Sequence, residues 1–227
     1  MDATWAPAEM CRLGPWTIRR GLDGGKRVSA ATTDMAVTES EIDAAEAAMR
    51  ELSQVPIFML RGGNGDLDAA LAARGYRVVD PVLIYVAETA GIAAIRPEPL
   101  MAIPCEEPLA LMQELWAENG ISAARIAVMR RTKGPKTHLF SRFRDRPAGA
   151  AFVAIDGDIA MLHALVVIPE MRRAGLAHKL MGRAAIWAEE NNARYLSVVT
   201  TGENLPAQKL FASLPMQVVG KYHYRMK

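Results

Sequence analysis

Apolar positions along this chain recur in two rhythms, and the rhythms alternate. Between Glu39 and Leu52, Ile42, Ala45, Met49 and Leu52 fall on one side at helical spacing, with Thr38 or Ser40 placed to cap the start. Pro56–Leu60 is a short apolar run that predicts a buried strand, Gly62–Gly65 a turn, and Leu67–Arg74 a short helix ended by Gly75. Tyr76–Ala87 then reads as a long strand kinked at Pro81. Upstream, Thr17–Arg20 and Arg27–Ala31 read as two strands joined by the turn Gly21–Arg27, whose glycines have the wrong spacing for a nucleotide phosphate loop.

The second half begins with a predicted helix, Glu107–Asn119, with Leu109, Met112, Leu115 and Trp116 inward, and a second one, Ala123–Arg131, capped by Ser122. Thr137–Phe143, Ala148–Ile155 and Ile159–Ile168 predict an antiparallel meander, its turns at Asp145-Arg146-Pro147 and Asp156-Gly157-Asp158. Leu176, Leu180, Ala184 and Trp187 then mark an amphipathic helix, followed by a strand Tyr195–Thr200, a helix Pro206–Leu214 and a last strand Gln217–Arg225. Thr89–Pro108 holds Pro97, Pro99, Pro104 and Pro108 and reads as a linker without a regular element.

Helix, strand, turn, short helix and strand thus occur twice. Adding 140 to the numbering carries Ala44, Ala45 and Ala48 onto Ala184, Ala185 and Ala188, Gly62 and Asn64 onto Gly202 and Asn204, and Val78-Val79 onto Val218-Val219. The expected organisation is a degenerate lobe over residues 1–90, a Pro-rich linker over 91–106 and a working domain over 107–227.

With 227 residues, 51% hydrophobic and 23% charged, the chain suits a globular protein with an ordinary core. A formal net charge of +2 is too small to make nucleic acid the expected partner. Neither a signal-like start nor a stretch of membrane-spanning length is present, and the two cysteines, Cys11 and Cys105, suit a reducing compartment, so a cytoplasmic protein with no membrane partner is expected. A homodimer stays open. The chain contains no C-x-x-C, H-E-x-x-H, G-x-S-x-G or G-x-G-x-x-G pattern.

The chemistry concentrates at the turn after Ile168. Small residues at Ala174, Gly175 and Ala177 let a ligand approach the backbone, and Arg172 and Arg173 stand beside the first N–H groups of a helix, which have no partner within it. Those donors, the positive end of the helix dipole and the guanidinium groups together make a socket for an anion of pyrophosphate size.

The run Leu165-x-Val167-x-Pro169-x-x-Arg172-Arg173-x-Gly175-x-Ala177 resembles the acetyl-coenzyme A loop of the GCN5-related N-acetyltransferases (GNAT), R/Q-x-x-G-x-G/A. The resemblance implies an α/β fold with a central, mostly antiparallel sheet flanked by helices, preceded by a smaller degenerate lobe. It implies that the backbone of Leu165, Val166 and Val167 pairs with the pantetheine arm, and that Arg172, Arg173, Ala174, Gly175, Leu176 and Ala177 hold the pyrophosphate. Asn204-x-x-Ala207-x-x-Leu210-Phe211 resembles the family's later motif and adds Asn204 to the cofactor side. The family often keeps a general acid, a tyrosine, where this chain has Phe211. In the first copy, Thr32, Thr33, Met35 and Val37 stand in place of Arg172, Arg173, Gly175 and Ala177, so that copy is not expected to bind the cofactor.

The implied reaction moves an acetyl group from acetyl-coenzyme A to a primary amine of a small molecule or protein; a sensor that binds acyl-coenzyme A without turnover is the alternative. Amine deprotonation is the harder demand near neutrality, since lysine-like amines titrate at roughly 10.4 and thiols at roughly 8.5. His163, sharing the parity of Leu165 and Val167 on the strand before the loop, is the expected base. Tyr222 and Tyr224, on one face of the last strand, are the expected proton donors, with Glu170, His138 and His178 as weaker candidates. A basic cluster, Arg125, Arg130, Arg131, Lys133 and Lys136, is either a solvated face or a contact for an acidic acceptor.

Overall fold

β-Branched and alternating runs become strands nearly wherever they occur. In the computed structural model, which describes residues 1–227, β1 (Glu9–Leu13) and β2 (Trp16–Arg20) form a hairpin. Eight more strands form one mixed sheet: β3 (Ile57–Arg61), β4 (Arg77–Glu88), β5 (Ala102–Cys105), β6 (Lys136–Phe143), β7 (Arg146–Asp156), β8 (Ile159–Val167), β9 (Tyr195–Thr201) and β10 (Gln217–Met226). Their order is β3-β10-β4-β9-β8-β7-β6-β5, antiparallel throughout except between β8 and β9. The helices are α1 (Lys26–Ser29), α2 (Glu39–Glu51), α3 (Gly65–Ala73), α4 (Thr89–Ala93), α5 (Ala110–Glu118), α6 (Ala123–Arg131), α7 (Leu176–Glu190) and α8 (Leu205–Ala212). None of them is long and apolar enough to cross a membrane.

The long amphipathic helix α7 seats the main core. Leu180, Met181, Ala184, Ala185 and Ala188 are fully buried against Val153, Leu162 and Val198 of the sheet, and the small side chains of the three alanines bring the helix close to it. A second core gathers Trp16, Phe58, Tyr76, Tyr222 and Tyr224 beside α2, and a third gathers Trp5, Met112, Trp116 and Phe152 beneath α5 and α6.

The internal repeat extends to the hydrogen-bond register. Adding 140 to Val82 and Arg61 gives Tyr222 and Thr201, and the pair Val82↔Thr201 has its image in Tyr222↔Arg61. Likewise Arg77↔Met226 maps onto Val86↔Gln217 within the β4–β10 pair. A pseudo-two-fold therefore runs between β4 and β10. Each half lends its last strand to the other, and the sheet is continuous across both.

Four expectations need correction. Residues 26–29 are a helical turn rather than a strand: Val28 is fully buried, and Gly24 lies so close to α6 that a Cβ there would meet Val128 at 2.5 Å. The partner of β2 is β1, whose five residues are all exposed and so carry no apolar alternation to read. The segment read as a linker without regular structure contains α4 and β5. Pro104 fits because β5 is an edge strand, and Ile92 is fully buried against the α7 core. Leu109 is exposed, standing at the start of α5 outside its buried face.

Gly182, in the middle of α7, shows how tightly that segment is held. A Cβ there would stand 1.8 Å from the carbonyl oxygen of Ile95. Helix propensity alone favours alanine by up to about 1 kcal/mol at such a position. Here overpacking dominates, so Gly182→Ala is expected to lower unfolding stability by about 1–3 kcal/mol in urea titrations.

Candidate active site

The site begins where two parallel strands part. β8 pairs with β9 from Ile159↔Tyr195 to Leu162↔Val198 and no further. Just beyond, β8 bulges. Its register against β7 shifts between Ala150↔Val166 and Phe152↔His163, with Ala164 at φ 53°. Two contacts brace the bulge. Trp116 Nε1 donates to the Ala164 carbonyl at 2.9 Å, and Gly149 opposite leaves room for the Val166 carbonyl, which a Cβ would meet at 2.4 Å. The strands consequently splay and open a cleft of about 360 Å³. Leu165, Asn204 and Phe211 line it towards α7 and α8, while His163, Arg27 and Tyr224 line it from the other face.

At the end of β8 the chain takes a single 3₁₀ turn, Pro169–Met171, passes through left-handed backbone at Arg173 (φ 64°) and Gly175 (φ 76°), and enters α7. None of the six backbone N–H groups from Arg173 to His178 has an acceptor within the protein, and no side chain caps the helix. Gly175 is required by its φ, since open space surrounds it. Arg172 Nε donates to the Val167 carbonyl at 3.1 Å, which holds the guanidinium over the turn. Arg173 and Ala174 are exposed, whereas the Leu176 side chain is buried and anchors the helix start. A bare helix N-terminus flanked by two arginines fits a diphosphate.

The backbone of Leu165–Val167, beyond the last β9 pair, is the edge that a pantetheine arm would need. Asn204 uses its side-chain oxygen to accept from Ala207 N–H at 3.2 Å and so caps α8 beside the cleft. The equivalent helix start in the first half is closed: Thr38 and Glu41 form a reciprocal capping box on α2.

His163 is 5% exposed and committed on both sides. Nδ1 lies 3.1 Å from Arg27 Nη1 and Nε2 lies 3.2 Å from Thr4 Oγ1. A guanidinium only donates, so Nδ1 accepts and Nε2 carries the proton. Burial, followed by the Arg27 charge, holds the imidazolium pKa well below its usual value. The ring has no free lone pair for an amine, and the expected base is instead the residue that positions Arg27. Tyr222 and Tyr224 are both buried, with rings 5.6 Å apart, edge to face. Burial pushes the Tyr224 phenol far above its usual value, so it stays protonated.

The other candidates lie elsewhere. His138 is a core residue between Trp116 and Phe152, its Nδ1 hydrogen-bonded to the Glu106 carbonyl at 3.0 Å. His178 Nε2 meets Ser213 Oγ at 2.9 Å, and Glu170 is exposed. Of the basic cluster, Lys136 binds carbonyls at the end of α6 and Arg131 binds those of Ala6 and Gly21; only Arg125 reaches the cleft. Sequence reasoning missed Arg27 and Trp5. The one available signal was the glycine-rich run before Arg27, which allows close backbone approach and was read as a plain turn.

His163 and His138 both have folded pKa values depressed by burial, so below roughly 6.5 the unfolded chain binds protons that the native state refuses. Stability should be complete above that pH and fall as the pH drops through 6 to 5. His163→Gln should make that fall shallower, measured by urea unfolding at a series of pH values.

A family model described as the acetyltransferase (GNAT) family matches residues 105–214. Among solved structures, a functionally unknown conserved protein from Staphylococcus epidermidis superposes with a TM-score of 0.76 at 12% identity, covering 98% of this chain and 94% of that one. A GCN5-related N-acetyltransferase from Kribbella flavida gives 0.67 at 14%, covering 97% and 90%. A tandem GNAT protein from the clavulanic acid biosynthesis pathway gives 0.67 at 13%, covering 98% and 84%. No curated protein matches the sequence. The splayed parallel strands, the bare helix start between them and the family match agree, and residues 105–214 form a domain of the acetyltransferase (GNAT) family.

Proposed function

We propose that this chain transfers an acetyl group from acetyl-coenzyme A to a primary amine of a small molecule or protein. The observation that carries the reading is the run of N–H groups from Arg173 to His178 without acceptors, set at the mouth of the β8–β9 splay. When bound, acetyl-coenzyme A supplies an acetyl group activated as a thioester. Arg172, Arg173, Ala174, Gly175, Leu176 and Ala177 would hold its diphosphate, Leu165, Val166 and Val167 would offer backbone to its arm, and Asn204 has amide N–H groups left to offer.

Within the cleft, removal from water and the Arg125 cation disfavour an ammonium, which keeps the attacking amine neutral without a dedicated base. The backbone freed by the β8 bulge supplies donors for the thioester carbonyl oxygen. Tyr224, with Tyr222 beside it, donates a hydrogen bond to the departing sulfur. With its pKa raised, Tyr224 does not surrender its proton to a thiol of about 8.5; the proton that completes the thiol is the one the amine loses.

In the same reading, residues 1–90 are a degenerate lobe whose helix start is closed by Thr38 and Glu41. Residues 107–227 are the working domain, and 91–106 connect them. A second reading, an acyl-coenzyme A sensor, has one specific observation behind it: Phe211, which lines the cleft, has no hydroxyl to give. Release of free thiol from acetyl-coenzyme A in the presence of an amine panel separates the two, since a sensor binds and does not turn over.

Gly175→Glu and Arg172→Glu should each weaken coenzyme A binding at least tenfold, roughly 1.4 kcal/mol, by calorimetry. Unchanged affinity would remove the turn from the cofactor site. Tyr224→Phe should lower kcat about tenfold or more while leaving coenzyme A affinity within about twofold, measured by thiol release and calorimetry.

A further inference from the structure

One cation in the cleft lacks a counter-ion. Arg27 reaches in from α1, its guanidinium carbon 5.9 Å from the centre of the Trp5 ring, and its Nε is buried with no hydrogen-bond partner. Its close polar contacts are neutral, His163 Nδ1 at 3.1 Å and the Tyr224 hydroxyl. The one carboxylate that lines the cleft, Asp80, is already taken by Lys26 at 2.9 Å. Arg125, exposed at the cleft mouth, forms no ion pair either.

Arg27 is half-buried, and a guanidinium drawn even partly out of water is ordinarily paired, because a desolvated charge without a partner is costly. The surroundings go further and hold Arg27 in place unpaired. Gly24 and Gly25 bring the α1 backbone against α6, Arg131 and Gln54 tie Gly21 down through its carbonyl and N–H, and His163, itself held by Thr4, orients the guanidinium. A planar fork of donors fixed over an indole, facing a cleft of about 360 Å³, matches a carboxylate on a small molecule.

We infer that the acceptor is a small amine bearing its own carboxylate, of amino-acid size, and that Arg27 receives that carboxylate on the face of the sheet opposite α7. This deepens the proposed acetyl transfer and rests on it. A decarboxylated acceptor leaves the guanidinium unpaired, and such a site discriminates strongly against ligands lacking the complementary group.

The test uses the full chain. Thiol release is measured with amino acids and their decarboxylated amines as matched pairs, and carboxylate binding is measured separately by calorimetry with succinate in the presence of coenzyme A at fixed ionic strength. Wild type should prefer the carboxylated member by at least a hundredfold in kcat/KM and should bind succinate. Arg27→Gln should raise KM for the carboxylated acceptor and weaken succinate at least tenfold with coenzyme A affinity unchanged, and Arg27→Lys should restore part of the loss. Equal use of the paired amines, equal succinate binding by wild type and Arg27→Gln, no succinate binding while coenzyme A binds, or preference for inorganic phosphate over succinate would each overturn the inference. Failure to bind coenzyme A at all would instead overturn the acetyl-transfer reading itself.

Discussion

The termination of the parallel pairing between β8 and β9 at Leu162↔Val198 is the constraint on which the site depends. Two strands that continued in register would satisfy each other's backbone groups and leave no cleft. The bulge at Ala164 prevents this, and it persists because Trp116 takes the displaced carbonyl and Gly149 leaves space for the neighbouring one. A residue with φ 53° costs free energy that only a surrounding structure can sustain, and here α5 and β7 provide it. The bulge thus opens backbone on β8 in the same place that α7 presents its bare N-terminus.

The pseudo-two-fold explains how one chain can contain the same supersecondary unit twice, with only the second copy's helix start left bare. Register and element order survive in both halves, since core packing and strand pairing depend on apolar pattern more than on particular residues. The helix start does not survive. In the first half a capping box with its own carboxylate takes up the Thr38 and Glu41 N–H groups, and a ligand anion would meet like charge. In the second half the donors stay open. The first half keeps a different role, because the glycine-rich loop before α1 carries Arg27 across to the site of the second.

Electrostatics on the cleft face opposite α7 follow from that crossing. Burial and the guanidinium beside it keep the imidazole neutral, and the neutral ring then serves as an acceptor that aims the guanidinium. Burying the imidazole and half-burying the guanidinium without a carboxylate is unfavourable for folding, which is the usual pattern where preorganisation of a site opposes stability. Tyr224, kept protonated by burial, lies beside them, and the carboxylate in the cleft lining, Asp80, is paired with Lys26.

Sequence by itself determined the meander, the amphipathic helix α7, the Arg172–Ala177 turn and the internal repeat, because each is a local or periodic property: strand alternation, helical spacing, a glycine at positive φ and a fixed offset of 140. Only tertiary structure decided the rest. Residues 26–29 became a helical turn and Ala102–Cys105 a strand because their surroundings, α6 on one side and β6 on the other, outweigh local propensity. Nor could the sequence show that His163 would be held by Arg27, 136 residues away, because the availability of a lone pair depends on what folding brings beside it.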